Sequence, residues 1–490
     1  MKKQHIFGCI AVALSLLLPI GFFLTLTATL PTTYDETFVA ELANKFDRLC
    51  SIEEPKVVVV GGSSVAFGID SAAMERELGM PVVNFGLYAT LGTKLMIDLS
   101  RANIGEGDVI ILAPEMDAQT LSLYFNAETT WQALDSDMSM LKYIASEDLS
   151  SLVGSYYNYR ITKFRYRVEG ITLSPTGVYR SDSFNSYGDI IYPRPYNILY
   201  ESTGIAYDST NRISLTPDIV DPAFIEYVNE YVAFCEERGA TVYFAFCPMN
   251  RSAFAEDTTE DSLVAMYDFL QRSLDCTLLN SPADTAYEEN YFYDTNYHLN
   301  DAGVTLHTAE LLAALYREWN RLDIPKIEIA ARPELPDFIG SIDTAGNEYE
   351  DCFVYAEYGG SYSIVGTTER GKTLTSLEIP SSYNGRAVLA IGEGTFAGCT
   401  QLTSVTIHRS LTVFLDGAFS DCPSLTKIYM SVDDAPYMSD PSAAMPQVGN
   451  ELLRGASPDL RFYFSQAGFE LFLGDYNWQN YGSSFDIGLP

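Results

Sequence analysis

Four histidines and three tryptophans are all that this chain of 490 residues contains. It has no Cys-x-x-Cys pair and no cluster of cysteine with histidine, so structural zinc is not expected. Basic residues are also scarce: 30 Lys and Arg stand against 65 Asp and Glu, a formal charge of −35. Nucleic acid and anionic lipid headgroups are polyanions, and a chain of this charge is a poor partner for either. One local exception is YRITKFRYR, residues 159–167, where Arg160, Lys163, Arg165 and Arg167 stand among aromatics. It reads as a solvated face with snorkelling side chains, or as a contact strip for an anionic polymer.

Apolar residues, by contrast, make up 47% of the chain, enough for large cores. The longest apolar run comes first. Lys2 and Lys3 precede the apolar run 6–30, which is interrupted by Pro19, Gly21 and a few hydroxyl residues. A bilayer core needs about 20 residues, whereas the apolar part of a signal peptide has about 7–15. Lysines on the cytoplasmic side would export everything after Pro31. The expectation for residues 1–31 is a single-pass anchor in the cell membrane, with the bulk of the chain extracytoplasmic, or secreted if the segment is cleaved. The eight cysteines are scattered, and Cys235 and Cys247 fall in apolar settings, as buried thiols do.

After a helical stalk at 32–54, short apolar strands are expected at 56–60, 82–85, 108–112, 241–246 and 277–279. Helical patterns lie between or after them at 71–78, 93–103, 224–238 and 304–317. Nearly all-apolar strands separated by helices mean a parallel sheet covered on both faces. Residues 55–325 thus read as a doubly wound, flavodoxin-like α/β domain of three layers. The segment 145–215, rich in Tyr, Ser and Arg, breaks the rhythm as an insertion does. Its Tyr187, Tyr192, Tyr196 and Tyr200 would be either packing aromatics or a wall for stacking sugars.

Pro325, Pro333 and Pro336 mark a linker at 326–350, and a repeat follows. GEGTFAGCTQLTSVTI and LDGAFSDCPSLTKIYM align Phe396 with Phe419, Cys399 with Cys422 and Leu402 with Leu425, 23 residues apart. LTSLEIP from Leu374 matches LTSVTIH from Leu402, with SSYNGRA as extra residues between. The spacing resembles the BspA-type leucine-rich repeats, over 351–490. That resemblance implies a solenoid with caps, stacked core cysteines instead of a disulfide, and a surface for a protein or glycan ligand.

Ligands of open parallel sheets bind beyond the carboxyl ends of the strands. Those ends carry Gly61-Gly62-Ser63-Ser64, Gly86, Glu115 and Asp117, Asn250, and a last loop with Asp294 and His298. The Gly61–Ser64 turn fits neither common phosphate-loop pattern, so neither nucleotide nor any other cofactor is expected there. A serine at a strand-to-helix turn, a histidine to take its proton and a carboxylate to orient the histidine fit ester chemistry. His298 is best placed of the four histidines: His5 precedes the apolar run, His307 lies inside a helix and His408 belongs to the repeats.

These residues resemble the SGNH/GDSL hydrolases, over about 55–325. Gly62-Ser63-Ser64-Val65-Ala66-Phe67-Gly68 matches G-D-S-x-x-x-G, with Ser63 in the aspartate slot and Ser64 implied as nucleophile. Asn84-Phe85-Gly86 matches the N-x-G turn whose glycine serves the oxyanion. Asp294 to His298 matches D-x-x-H with one residue more. The G-x-N-D block is replaced by Ala113-Pro114-Glu115-Met116-Asp117, which has no asparagine donor. The resemblance implies a catalytic Ser64, His298 and Asp294, with Gly86, Ser63, Asn84, Glu115 and Asn250 around the substrate and no metal. It implies an esterase or acyltransferase acting on an O-acyl group of carbohydrate or cell-wall polymer. The alternative is a surface binding protein whose repeats do the work on an inert scaffold.

Overall fold

The computed structural model describes Gly21, residues 29–336 except 174, 176 and 204, and residues 349–489 except 359–360, 385, 409–410, 433–434, 436–444, 450 and 476. The apolar run expected as a membrane anchor lies almost wholly outside them. Among the described residues no helix is long and apolar enough to cross a membrane.

Five parallel strands form the first sheet: β1 (Val57–Gly61), β2 (Val82–Gly86), β3 (Val109–Ala113), β4 (Thr241–Phe244) and β5 (Thr277–Leu278). Their order is 2-1-3-4-5. Every residue of β1, β2 and β3 is buried, which is why their sequences are apolar without alternation. Successive side chains still point to opposite faces. Val57 and Val59 join Leu311, Leu312 and Leu315 of the helix Asp301–Glu318 on one face. Val58 and Val60 join Leu42, Phe46, Leu95 and Phe224 on the other. Both sides of the sheet are therefore covered by helices.

The stretch expected to be a stalk is part of this domain. Its helix Glu41–Ser51 buries Leu42, Phe46 and Leu49, and Arg48 donates to the Val82 carbonyl (2.8 Å). Its Lys45 is fully enclosed and donates to the Asn84 carbonyl (3.2 Å). Apolar spacing at 42, 46 and 49 buries one stripe, which a free stalk would have left in water.

The insertion is built on the helix Leu149–Glu169, and its basic strip is half withdrawn from solvent. Arg160 and Lys163 are buried, and Lys163 and Tyr159 both hold Asp135. Only Arg165 and Arg167 are left to face outward. Tyr187 lies under the Arg48 guanidinium (4.4 Å), while Tyr192 and Tyr196 pack against the core.

The C-terminal part is a solenoid of two ladders, one wholly parallel and one parallel apart from its first hairpin. In one, Ser376–Glu378, Ser404–His408, Lys427–Ser431, Arg461–Phe464 and Phe485–Ile487 stack in order. Ser376 pairs with Ser404 and Ser404 with Lys427, the register that the repeat alignment requires. The extra residues SSYNGRA are absorbed by a small hairpin in which Ser382 pairs with Ala387. Phe396 stacks on Phe419 with centroids 5.6 Å apart, and Cys399 and Cys422 are buried free thiols. The hairpin Phe353–Tyr358 with Ser361–Thr367 begins the module, and the helix Gln466–Gly474 with Trp478 closes it. This end meets the α/β domain, where Gln479 donates to the Tyr88 hydroxyl (2.9 Å).

Candidate functional site

The register of the sheet brings Gly61, Gly86 and Ala113 into one row at the carboxyl ends of β1, β2 and β3. Small residues are needed there. A Cβ on Gly61 would lie 2.4 Å from the Ala113 carbonyl oxygen, and one on Gly86 would lie 2.4 Å from Val65 Cβ. The chain can therefore turn tightly from β1 into the short helix Ser63–Ala66 directly above the strand ends.

The histidine comes from the other side of the site. Its loop is closed by Asn300, whose side chain caps the helix Asp301–Glu318 through Gly303 N (3.0 Å) and donates to the Phe292 carbonyl (3.1 Å). Such a cap is worth about 1 kcal/mol. Thr295 Oγ1 accepts from His298 N (3.1 Å), Tyr297 donates to the Met116 carbonyl (3.1 Å), and Asn296 donates to the Asp208 carbonyl (2.9 Å). The loop is thus tied to β3 and to the insertion.

Within it, His298 Nδ1 lies 2.8 Å from Asp294 Oδ1. Tyr179, from the insertion, donates to Asp294 Oδ2 (2.5 Å). The extra residue between Asp294 and His298 is accommodated by the Thr295 turn without separating the pair. The imidazole stacks on Phe67, with centroids 3.9 Å apart and planes within 6°. Phe67 ends the turn that carries the serines, and its N–H donates to the Ser63 carbonyl (2.9 Å). Serines, histidine and aspartate are therefore neighbours.

Glu115 gives the site its unusual feature. Its carboxylate reaches from the end of β3 across the glycine turn, and Oε1 accepts the Ser64 N–H at 2.7 Å. The Ser63 hydroxyl lies 3.4 Å from the same oxygen. A Cβ on Gly62 would sit 2.2 Å from Oε2, so the glycine makes room for the carboxylate. Oε2 itself is buried with no hydrogen-bond partner, as is Ser64 Oγ. The Gly86 N–H is also engaged, by Asn84 Oδ1 at 3.2 Å. The N–H groups of Ser64 and Gly86 therefore both bond to the chain itself. Burial, with Glu115 adding to it, pushes the neighbouring Asp117 carboxyl up to about 6. Ser64 and His298 are each 1% exposed and lie beneath the surface of the site.

The remaining expected residues act at one remove. Asn84 donates to the Val65 carbonyl (3.0 Å) and to Asp189 (2.9 Å), fixing the serine turn from below. Asn250 donates its side-chain amide to the Ala206 carbonyl (2.8 Å) and its N–H to the Asn296 carbonyl (2.9 Å). It braces the histidine loop. Sequence reasoning missed Tyr179, Phe67 and Arg194. Arg194 is buried with its guanidinium 5.2 Å above the Phe67 ring, and burial lowers its pKa against the pull of Asp301 and Asp294. Only Phe67 left a signal, as the fourth residue after Ser63; nothing in the sequence joins Tyr179 or Arg194 to a motif.

Residues 366–373, GTTERGKT, fit the spacing of a phosphate loop. The structure gives them the end of the strand Ser361–Thr367 and a three-residue turn, Gly371–Thr373, with Lys372 on Glu369 (2.9 Å). No helix N-terminus follows to hold a phosphate.

Among known families, a model described as BspA type leucine rich repeat region (6 copies) matches residues 369–437. That segment consists of BspA-type leucine-rich repeats. No curated protein matches the chain. Among solved structures it is similar to a leucine-rich repeat protein from Bacteroides ovatus, at 19% identity over 29% of this chain and 40% of that one, with a TM-score of 0.16. The leucine-rich repeat protein of T. pallidum is 15% identical over 23% of this chain and 68% of its own, with a TM-score of 0.14. This chain thus spans less than half of the first of these proteins.

Proposed function

We propose that the α/β domain is an SGNH-like serine esterase or O-acyltransferase, exported and displayed at the cell surface with its repeats. The observation that carries this reading is the 2.8 Å contact between Asp294 Oδ1 and His298 Nδ1. A carboxylate on Nδ1 fixes the tautomer in which Nε2 takes a proton from a hydroxyl. The hydroxyl comes from the Ser63-Ser64 turn, above the ends of the parallel strands where such folds bind ligands. Hydrolase and acyltransferase share one acyl-enzyme and differ in whether water or a second hydroxyl receives the acyl group. The proposed substrate is an O-acyl ester on carbohydrate or cell-wall polymer. The test is acetate release from O-acetylated polysaccharide by the full-length chain in detergent, compared with His298→Gln. Release that depends on His298 supports the reading; release that is equal in both, or absent in both, contradicts it.

A second reading is favoured by the Ser64 N–H bond to Glu115, since a carboxylate in that place opposes a developing oxyanion. In it the α/β domain is a scaffold, and the repeats bind a protein or glycan at the surface. Retention of the full-length chain on a glycan array, unchanged in His298→Gln, supports this reading when no ester is cleaved.

A further inference from the structure

The two serines of the turn are not equivalent. Ser64 Oγ is buried and meets no hydrogen-bond partner, His298 included, although the imidazole is packed against the same turn through Phe67. Ser63 is in a different position. It and Phe67 are fourth neighbours joined by a helical hydrogen bond, so they share the face over which His298 is stacked. The Ser63 hydroxyl also points toward β3, where Glu115 lies 3.4 Å away and where Tyr297 anchors the histidine loop to Met116.

Glu115 shows what this arrangement can hold. Its Oε1 receives the Ser64 N–H at 2.7 Å, within the 2.7–3.1 Å over which donors serve an oxyanion. The same oxygen is 3.4 Å from the Ser63 hydroxyl. A carbonyl oxygen set in its place would bring its own carbon beside Ser63 Oγ, with the Ser64 N–H on the oxygen. The side chain of Glu115 thus occupies the position of a substrate carbonyl.

Resting on the esterase reading above, we propose that Ser63 is the nucleophile and that Ser64 serves through its backbone N–H. Ser63 Oγ forms a bond to the acyl carbon and passes its proton to His298 Nε2. The carbonyl π pair moves onto oxygen, facing the Ser64 N–H, once the Glu115 carboxylate has been displaced. Collapse of the tetrahedral adduct breaks the ester C–O bond, and the leaving alkoxide takes the proton from His298. A water or an acceptor hydroxyl then adds to the acyl-Ser63 carbonyl, giving its proton to His298. Its collapse returns that proton to Ser63 Oγ as the acyl group leaves.

The test is to treat the unmutated full-length chain with a fluorophosphonate and to locate the adduct by fragment-ion mass spectrometry. The position of the adduct is read without any substitution that could disturb folding, and Ser63→Ala serves only as the control. The expected result is phosphonylation of Ser63, lost in Ser63→Ala by at least about 100-fold in rate, as removal of a nucleophile demands. An adduct on Ser64 overturns the assignment while leaving serine chemistry intact. No adduct on either serine, with no ester turnover, overturns the assignment together with the reading on which it rests.

Discussion

Asp294 and His298 stand four residues apart on one loop, and their side chains meet at 2.8 Å with Tyr179 on the far oxygen of the carboxylate. The contact holds the imidazole flat on Phe67, at the rim of the turn that carries both serines. An amide in place of the carboxylate would offer Nδ1 the wrong partner and favour the wrong tautomer. Asp294→Asn is therefore expected to lower ester turnover by roughly 10³–10⁴-fold, as in other triads of this logic, without lowering the melting temperature by more than a few degrees. Parallel measurement of turnover and thermal unfolding checks it; a variant with full activity removes Asp294 from the mechanism.

Glu115 should restrain the site. Its carboxylate occupies the Ser64 N–H, and removal of a single oxyanion donor costs about 10²–10³ in rate. Glu115→Gln keeps the shape, removes the charge and supplies an amide N–H. Its kcat/KM on an acetyl ester is expected to rise by about tenfold or more. A fall would make Glu115 a participant in the reaction and not a competitor for the oxyanion position.

Gly86→Ala tests whether the row of small residues positions the serine turn. The added Cβ would lie 2.4 Å from Val65 Cβ and 2.6 Å from the Gly62 carbonyl oxygen. Overpacking of this kind costs about 1–3 kcal/mol. Denaturant unfolding should show that loss, and fluorophosphonate labelling should fall with it because the turn is pushed off the strand ends. Unchanged stability and labelling would show that the turn yields freely.

His307 provides a pH test that does not touch the chemistry. Burial lowers its imidazole from 6.5 to about 4, beside the Tyr287 hydroxyl (3.1 Å). The unfolded chain takes up the proton near 6.5 and the folded chain only near 4, so this contribution to stability is complete above pH 6.5. It is lost as pH falls through that window, by up to about 3 kcal/mol. Asp117 and Asp475 oppose it: burial raises each to about 6, so the folded chain is protonated there before the unfolded chain. The prediction is therefore a difference. The stability of His307→Gln relative to the unaltered chain should rise as pH is lowered from 6.5 to 4, in denaturant titrations at each pH. A constant difference would mean that His307 takes up its proton in the fold as it does in the unfolded chain.

Much of this was legible in the sequence because its signals are local. Short, largely apolar runs gave β1 to β3, since strands buried on both faces need no alternation. The helix Ser71–Leu78 falls where a helical pattern was expected, and the structure gives it Asp70 as N-cap and Gly79 at its close. The 23-residue repeat gave the solenoid register, because stacked Phe and Cys positions must recur. What was hidden depends on distant parts of the chain. The helix Glu41–Ser51 looked like a stalk because the strand that it covers, β2, comes some thirty residues later. Spacing to Gly68 pointed to Ser64, but spacing cannot report that Glu115 would reach over from β3 to take its N–H. Tyr179 and Arg194 come from an insertion whose sequence has no periodicity to read.

The most direct measurement is pre-steady-state hydrolysis of p-nitrophenyl acetate by the full-length chain at neutral pH. An acyl-enzyme that forms faster than it breaks down releases a burst of nitrophenolate. With Glu115→Ala to clear the oxyanion position, the account predicts a burst of about one equivalent per chain, abolished when His298→Gln is added. Release no faster than that in buffer alone, in both proteins, would contradict it.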